Sequence, residues 1–157
     1  MSINLYLVRH GDAERHDNDD LRALSARGKQ EIELVGKILA DKKECVINSI
    51  WHSPKLRAKE TAEILANHLH PGQGVRVENG LKPSDDPRII LDNLENADCN
   101  LMLVGHLPHI GRLAERLTKK PKLITSIAIS TGTVLCLKKS DKTDLWEFEW
   151  VVNPENF

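Results

Sequence analysis

Three short stretches of this chain carry side chains suited to holding and moving a phosphoryl group: Arg9-His10-Gly11, Ser53-Pro54 through Arg57, and Gly105-His106. A guanidinium presents a planar fork that matches phosphate oxygens in pairs. A neutral imidazole nitrogen can act as a nucleophile, and glycine lets a backbone approach a ligand closely. None of these stretches is decisive alone. Taken singly, Arg9 or Arg57 reads as a surface or salt-bridge residue, His10 as a hydrogen-bonded loop histidine, and His106 as a satisfied group at a helix start.

Their setting adds weight. Each stretch follows directly on an apolar, strand-like run: Leu5–Val8, Val46–Trp51 and Leu101–Val104. Further runs at Val75–Glu78, Thr133–Leu137 and Leu145–Val152 complete a set of candidate strands, with Ser140–Asp144 as a turn between the last two. Amphipathic helices fall between them. Ser25 is a cap before Ile32, Val35, Ile38 and Leu39, and Ser53-Pro54 predicts a helix burying Ala58, Thr61, Ala62 and Leu65. Two more follow Pro87 and Pro108. This alternation predicts a three-layer α/β/α domain with a mostly parallel central sheet and an antiparallel edge strand. Open sheets of this kind bind ligands beyond the carboxyl ends of their strands. Parallel strands would bring two arginines and two histidines to one such edge, beside helix N-termini that favour anions.

The bulk properties set limits. At 157 residues the chain suits a single domain spanning residues 1–157. Its net charge of −1, with both signs mixed along the chain, gives no footprint for nucleic acid or an anionic membrane. No run approaches the ~20 apolar residues of a membrane span, and no signal-peptide pattern precedes the first strand. Cys45, Cys99 and Cys136 are too scattered for a metal or redox motif, which suits a reducing compartment. The expected location is the cytoplasm.

Leu7-Val8-Arg9-His10-Gly11, Ser53-Pro54 through Arg57 to Glu60-Thr61-Ala62, and Val104-Gly105-His106 together resemble the histidine phosphatase superfamily, also called phosphoglycerate mutase-like. The short length, Arg9-His10-Gly11-Asp12-Ala13 and Leu81-Lys82-Pro83-Ser84-Asp85 look most like the compact SixA-type phosphohistidine phosphatases. The resemblance implies that His10 attacks phosphorus in line and forms a phosphohistidine that water hydrolyses. His10 must then be neutral, which Arg9, Arg57 and a protonated His106 would favour, with its other ring nitrogen donating to a backbone carbonyl. Arg9, Arg57 and His106 would hold the phosphoryl oxygens, with Gly11 and Ser53 also at the phosphate. Ser53 reads first as a helix cap. No metal or cofactor is implied.

One departure bears on substrate. Many superfamily members carry an acid after the third strand to protonate the leaving group, where this chain has Gly80-Leu81-Lys82-Pro83-Ser84. Asp19, Asp20 and Asp85 are substitutes, and Asp12 and Glu14 also lie nearby in sequence. Breaking a P–O bond to an alcohol expels a poor leaving group, and a general acid helps greatly. A P–N bond to histidine expels imidazole, whose conjugate acid has a pKa near ~6.5. The expected substrate is therefore phosphohistidine on a partner protein, and short loops suit a protruding side chain. The alternatives are a small-molecule phosphomonoesterase or mutase-like enzyme of the same superfamily, a non-catalytic phosphate-binding module, and a metal-dependent hydrolase using His10, Asp12, His16, Asp20, His106 and His109.

Overall fold

The structure is a computed structural model that describes residues 2–140 and 142–157. The element order is β1 (Ile3–Arg9), α1 (Ala26–Asp41), β2 (Ser49–His52), α2 (Leu56–Leu69), β3 (Val75–Val77), α3 (Pro87–Leu94), β4 (Leu101–Gly105), α4 (His109–Thr118), β5 (Val134–Lys139) and β6 (Trp146–Val152), with short 3-10 turns at Asp19–Leu21, Leu123–Ser126 and Pro154–Asn156. Of the expected turn at Ser140–Asp144, Asp141 lies outside the described residues.

The strands form one six-stranded sheet in the order β3-β2-β4-β1-β5-β6. β3, β2, β4 and β1 run parallel, and β5 and β6 each pair antiparallel with the preceding strand in the sheet. The antiparallel part is thus a hairpin of two strands, with β6 at the edge. Side chains of a strand alternate between faces, and β1 shows the result. Leu5 and Leu7 enter one core with residues of α3 and α4, including Ile90, Ile110 and Leu113. Tyr6 and Val8 enter the other with residues of α1 and α2, including Ile32, Val35, Ala62 and Leu65. Helices therefore cover both faces, and each fully buried Leu, Ile or Val side chain contributes roughly 1.5–3 kcal/mol.

Local signals account for most boundaries. Ser25 accepts from the Gly28 amide and caps α1, and Asp86 accepts from the Arg88 amide ahead of α3, whose first turn carries Pro87. α2 ends at His70, which adopts the left-handed conformation at φ 47°, immediately before Pro71-Gly72. Its start differs from expectation. The helix begins at Leu56 with Lys55 in the capping position and no side-chain cap, so Ser53 does not cap it. Ser53 lies two residues ahead of that cap, and its Oγ accepts from the Lys55 amide, outside the helix.

Register levels the strand ends. Arg9 of β1 lies opposite Gly105 of β4, and His52 of β2 lies opposite Val104. Two bonds continue this pairing beyond the strands, from the His10 amide to the Gly105 carbonyl (3.0 Å) and from the Ser53 amide to the Val104 carbonyl (3.0 Å). His10, Ser53 and His106 consequently leave neighbouring strands at one height. Among the described residues, no helix is long and apolar enough to cross a membrane. Cys136 is buried in β5, and burial pushes its thiol pKa up to about 12, which makes it unreactive.

Candidate active site

His10 emerges from β1 as a buried residue, 9% exposed. Its Nδ1 lies 2.7 Å from the Gly11 carbonyl. A carbonyl only accepts, so Nδ1 carries the proton and Nε2 keeps its lone pair. Burial, first, and then the charges of Arg57, Arg9 and Arg22 lower its pKa to about 4, against the opposing pull of the Gly11 carbonyl. The neutral ring expected from sequence is present, but desolvation outweighs the cations as its cause.

Gly11 is occupied on both sides. Its amide donates to Thr61 Oγ1 at 3.0 Å, and Thr61 Oγ1 in turn donates to the Arg57 carbonyl at 2.7 Å. A Cβ here would stand 2.9 Å from Ile32 Cγ1 and 3.3 Å from the Gly28 carbonyl oxygen. Gly11 is therefore required by close packing against α1 and as an anchor for His10, and its engaged amide corrects the expectation that it meets phosphate.

His106 packs beside His10, with ring centroids 5.0 Å apart and planes at 55°. Its Nε2 lies 2.7 Å from Ser53 Oγ, and Ser53 Oγ also accepts from the Lys55 amide at 3.2 Å. Ser53 is fully buried and serves to hold His106, which replaces both its expected roles as cap and phosphate contact. Burial, then His10, Arg57 and Lys55, lower the His106 pKa to about 2. Burial and the neighbouring cations oppose the protonated state expected of His106 from sequence.

The two guanidiniums flank this pair. Arg9 donates from Nη1 to the Ile129 carbonyl at 2.9 Å. Arg57, a 4%-exposed residue, donates from Nη1 to the Asp19 carbonyl at 2.8 Å and from Nη2 to Asp19 Oδ2 at 3.3 Å. Arg9 Nε, Arg57 Nε and His106 Nδ1 are buried without a hydrogen-bond partner among the described residues. Leaving a buried polar group unpaired costs roughly 1–3 kcal/mol, and a native structure retains such groups where an ion or a chemical role calls for them.

The acids divide. Asp19 Oδ2 meets Lys55 Nζ at 2.6 Å, and Asp20 Oδ1 meets the same ammonium at 2.7 Å. Both carboxyls are held below the usual range, first by that hydrogen bond. Both shifts favour the carboxylate form and weigh against the proton-donor role expected of Asp19 and Asp20. Asp85 Oδ2 accepts from the Lys82 amide at 3.0 Å and closes the turn at the missing-acid position. His109 is fully buried, while His52 Nδ1 lies 2.8 Å from the Ser53 carbonyl. A surface hollow of about 640 Å³ between α3 and α4 is lined by Asp85, Arg112, Arg116 and Lys119 and contains none of the four central residues.

Sequence reasoning missed three participants. The helical pattern predicts Thr61 only as a buried helix residue, although a hydroxyl on an apolar face at Glu60-Thr61-Ala62 signals a hydrogen-bonding duty. Lys55 and the Asp19–Arg57 contact carried no local signal, because 36 residues or more separate the partners.

Comparison with known proteins identifies the family and the fold. Residues 5–85 match the histidine phosphatase superfamily (branch 1). The chain is 30% identical over 129 residues to a phosphohistidine phosphatase SixA homolog of Haemophilus influenzae, covering 75% of this chain and 79% of that protein. The solved structure of the protein histidine phosphatase SixA complexed with tungstate superposes with TM-score 0.85 at 25% identity, over 98% of each chain. A phosphoglycerate mutase of Plasmodium falciparum shares the fold at TM-score 0.72 and 20% identity, over 95% of this chain and 89% of that one. With the level strand ends, the paired imidazoles and this match over residues 5–85, the chain belongs to the histidine phosphatase superfamily and is SixA-like.

Proposed function

We propose that this protein is a metal-independent phosphatase that uses His10 as nucleophile and removes phosphate from phosphohistidine on a partner protein. The observation that carries it is the His10 ring, fixed by the 2.7 Å bond from Nδ1 to the Gly11 carbonyl and lowered in pKa to about 4. Nε2 then offers a lone pair at any physiological pH. It attacks phosphorus as the bond to the leaving group breaks, giving a phosphohistidine on Nε2. Water attacks that phosphorus next, Nε2 leaves with its electron pair, and inorganic phosphate departs.

Arg9, Arg57 and His106 bind the phosphoryl oxygens and oppose the negative charge of the transition state. The unpaired Arg9 Nε, Arg57 Nε and His106 Nδ1 supply donor capacity for this task. Approach of a phosphate dianion raises the pKa of His106, so the ring gains its proton with the ligand rather than before it.

The leaving group favours phosphohistidine. Asp19 and Asp20 are committed to Lys55, and Lys82 and Pro83 stand where the superfamily resemblance implies an acid. Expelling imidazole needs far less proton donation than expelling an alkoxide. A panel of phosphohistidine peptide, phosphoserine peptide and sugar phosphate, assayed with wild type and His10→Ala in the presence of EDTA, tests this. The expected result is hydrolysis of phosphohistidine by wild type alone, undiminished by EDTA. Preference for the oxygen esters rejects the substrate, and equal activity of His10→Ala rejects the nucleophile.

A further inference from the structure

We propose that Asp19 is a positioning residue for Arg57, held in that role by Lys55. This rests on the role of Arg57 as a phosphate ligand, proposed above. Asp19 touches the guanidinium twice, through its carbonyl at Nη1 and its carboxylate at Nη2. The outward end of the fork is therefore taken, and Nε is the nitrogen left without a partner. These bonds fix the plane and position of the Arg57 guanidinium, and its Nε remains buried without a partner.

The Asp19 carboxylate is itself over-determined. Oδ2 receives Lys55 Nζ at 2.6 Å, and Oδ1 receives Arg22 Nη1 at 3.5 Å. Arg22 is tied back to the Glu14 carbonyl at 2.9 Å, and Asn18 Oδ1 holds the Asp20 amide at 3.0 Å. The turn at Asp19–Leu21 is thus pinned at both ends. Lys55 occupies a joint between the two halves of the site. Its amide binds Ser53 Oγ, which binds His106 Nε2, while its ammonium binds the carboxylate that orients Arg57. The register of the His106 side and that of the Arg57 side are set by one residue.

A carboxylate so near an anion site could instead compete with phosphate for Arg57. The local balance argues against competition: Lys55, Arg57 and Arg22 oppose Asp19 and Asp20, three cations to two anions before Arg9 is counted. Asp19 leaves the field positive and fixes its geometry.

Binding of inorganic phosphate to the full chain, measured by calorimetry at pH 7, decides between the two. Asp19→Asn is expected to weaken phosphate binding about tenfold, and Lys55→Met by about three- to fivefold, as charge-assisted hydrogen bonds are lost. Lys55→Arg, which keeps the charge and reach, is expected to stay within about twofold of wild type. That rescue separates positioning from a general packing defect, and the Lys55 pair answers the question even if Asp19→Asn fails to fold. Unchanged or tighter phosphate binding in Asp19→Asn or Lys55→Met overturns the proposal. Absence of phosphate binding in wild type overturns the phosphate-site assignment itself, and the positioning role with it.

Discussion

Thr61 ties the candidate nucleophile to its phosphate ligand, and replacing it by valine breaks that tie with little change of shape. Its hydroxyl accepts from the Gly11 amide at 3.0 Å and donates to the Arg57 carbonyl at 2.7 Å, and the residue is fully buried. Valine keeps the branched outline but leaves the Gly11 N–H in the interior without an acceptor. An orphaned buried donor costs roughly 1–3 kcal/mol. For a chain of this size each kcal/mol lowers Tm by about 2–4 °C, so the middle of that range gives a fall of about 4–8 °C. The catalytic consequence is separate. Gly11 also holds His10 Nδ1 through its carbonyl at 2.7 Å, so a shift of Gly11 moves the ring. Misplacement by about 1 Å can cost ~100-fold in rate, and the expected loss in kcat for Thr61→Val is about tenfold or more. Thr61→Ser keeps the hydroxyl and is expected to retain most activity. Calorimetric melting and turnover of p-nitrophenyl phosphate measure both effects. Wild-type Tm and kcat in Thr61→Val would refute the proposed linkage.

Two other perturbations have definite signs. His10 and His106 have pKa values lowered to about 4 and about 2, whereas an unfolded chain protonates its histidines near ~6.5. The unfolded state then binds more protons, so their contribution to stability is present above pH ~6.5 and is lost as pH falls through about 4 for His10 and on to about 2 for His106. Urea midpoints are expected to fall between pH 7 and 5 while the two ring resonances stay flat in an NMR titration; a His10 midpoint near the ordinary imidazole value would contradict the assignment. Gly28→Ala places a methyl group on the Asp12 backbone carbonyl, where α1 meets the loop after β1. Although alanine favours helix, the overpacking is expected to cost about 1–3 kcal/mol, and a melt at or above wild-type Tm would show that the loop yields freely.

The architecture was legible because its signals are local. Alternation along β1, the Ser25 cap and Pro87 each act within a few residues of themselves, and the strand ends followed once the strands were taken as parallel. Arg9, His10, Arg57 and His106 were legible for the same reason, since each follows or lies near a strand end. What escaped the sequence is set by contacts across the fold. Ser53 carried the standard signature of a helix cap, yet a bond to a histidine 53 residues away claimed its hydroxyl. Asp19 looked like a spare acid, and only the position of Lys55 and Arg57 commits its charge. The charge state of His106 depended on burial, which no local pattern reports. Gly11 was rightly singled out but for the wrong partner, because its neighbours Thr61 and Ile32 come from separate helices.

The most direct test is to quench the enzyme during turnover and locate the phosphoryl group by mass spectrometry under alkaline conditions that preserve phosphohistidine. A modified peptide carrying the group on His10, absent from His10→Ala, is the result expected from a ring whose Nδ1 proton is held by the Gly11 carbonyl and whose Nε2 keeps its lone pair. A phosphorylated serine or aspartate, or full turnover by His10→Ala, would contradict the account at its centre.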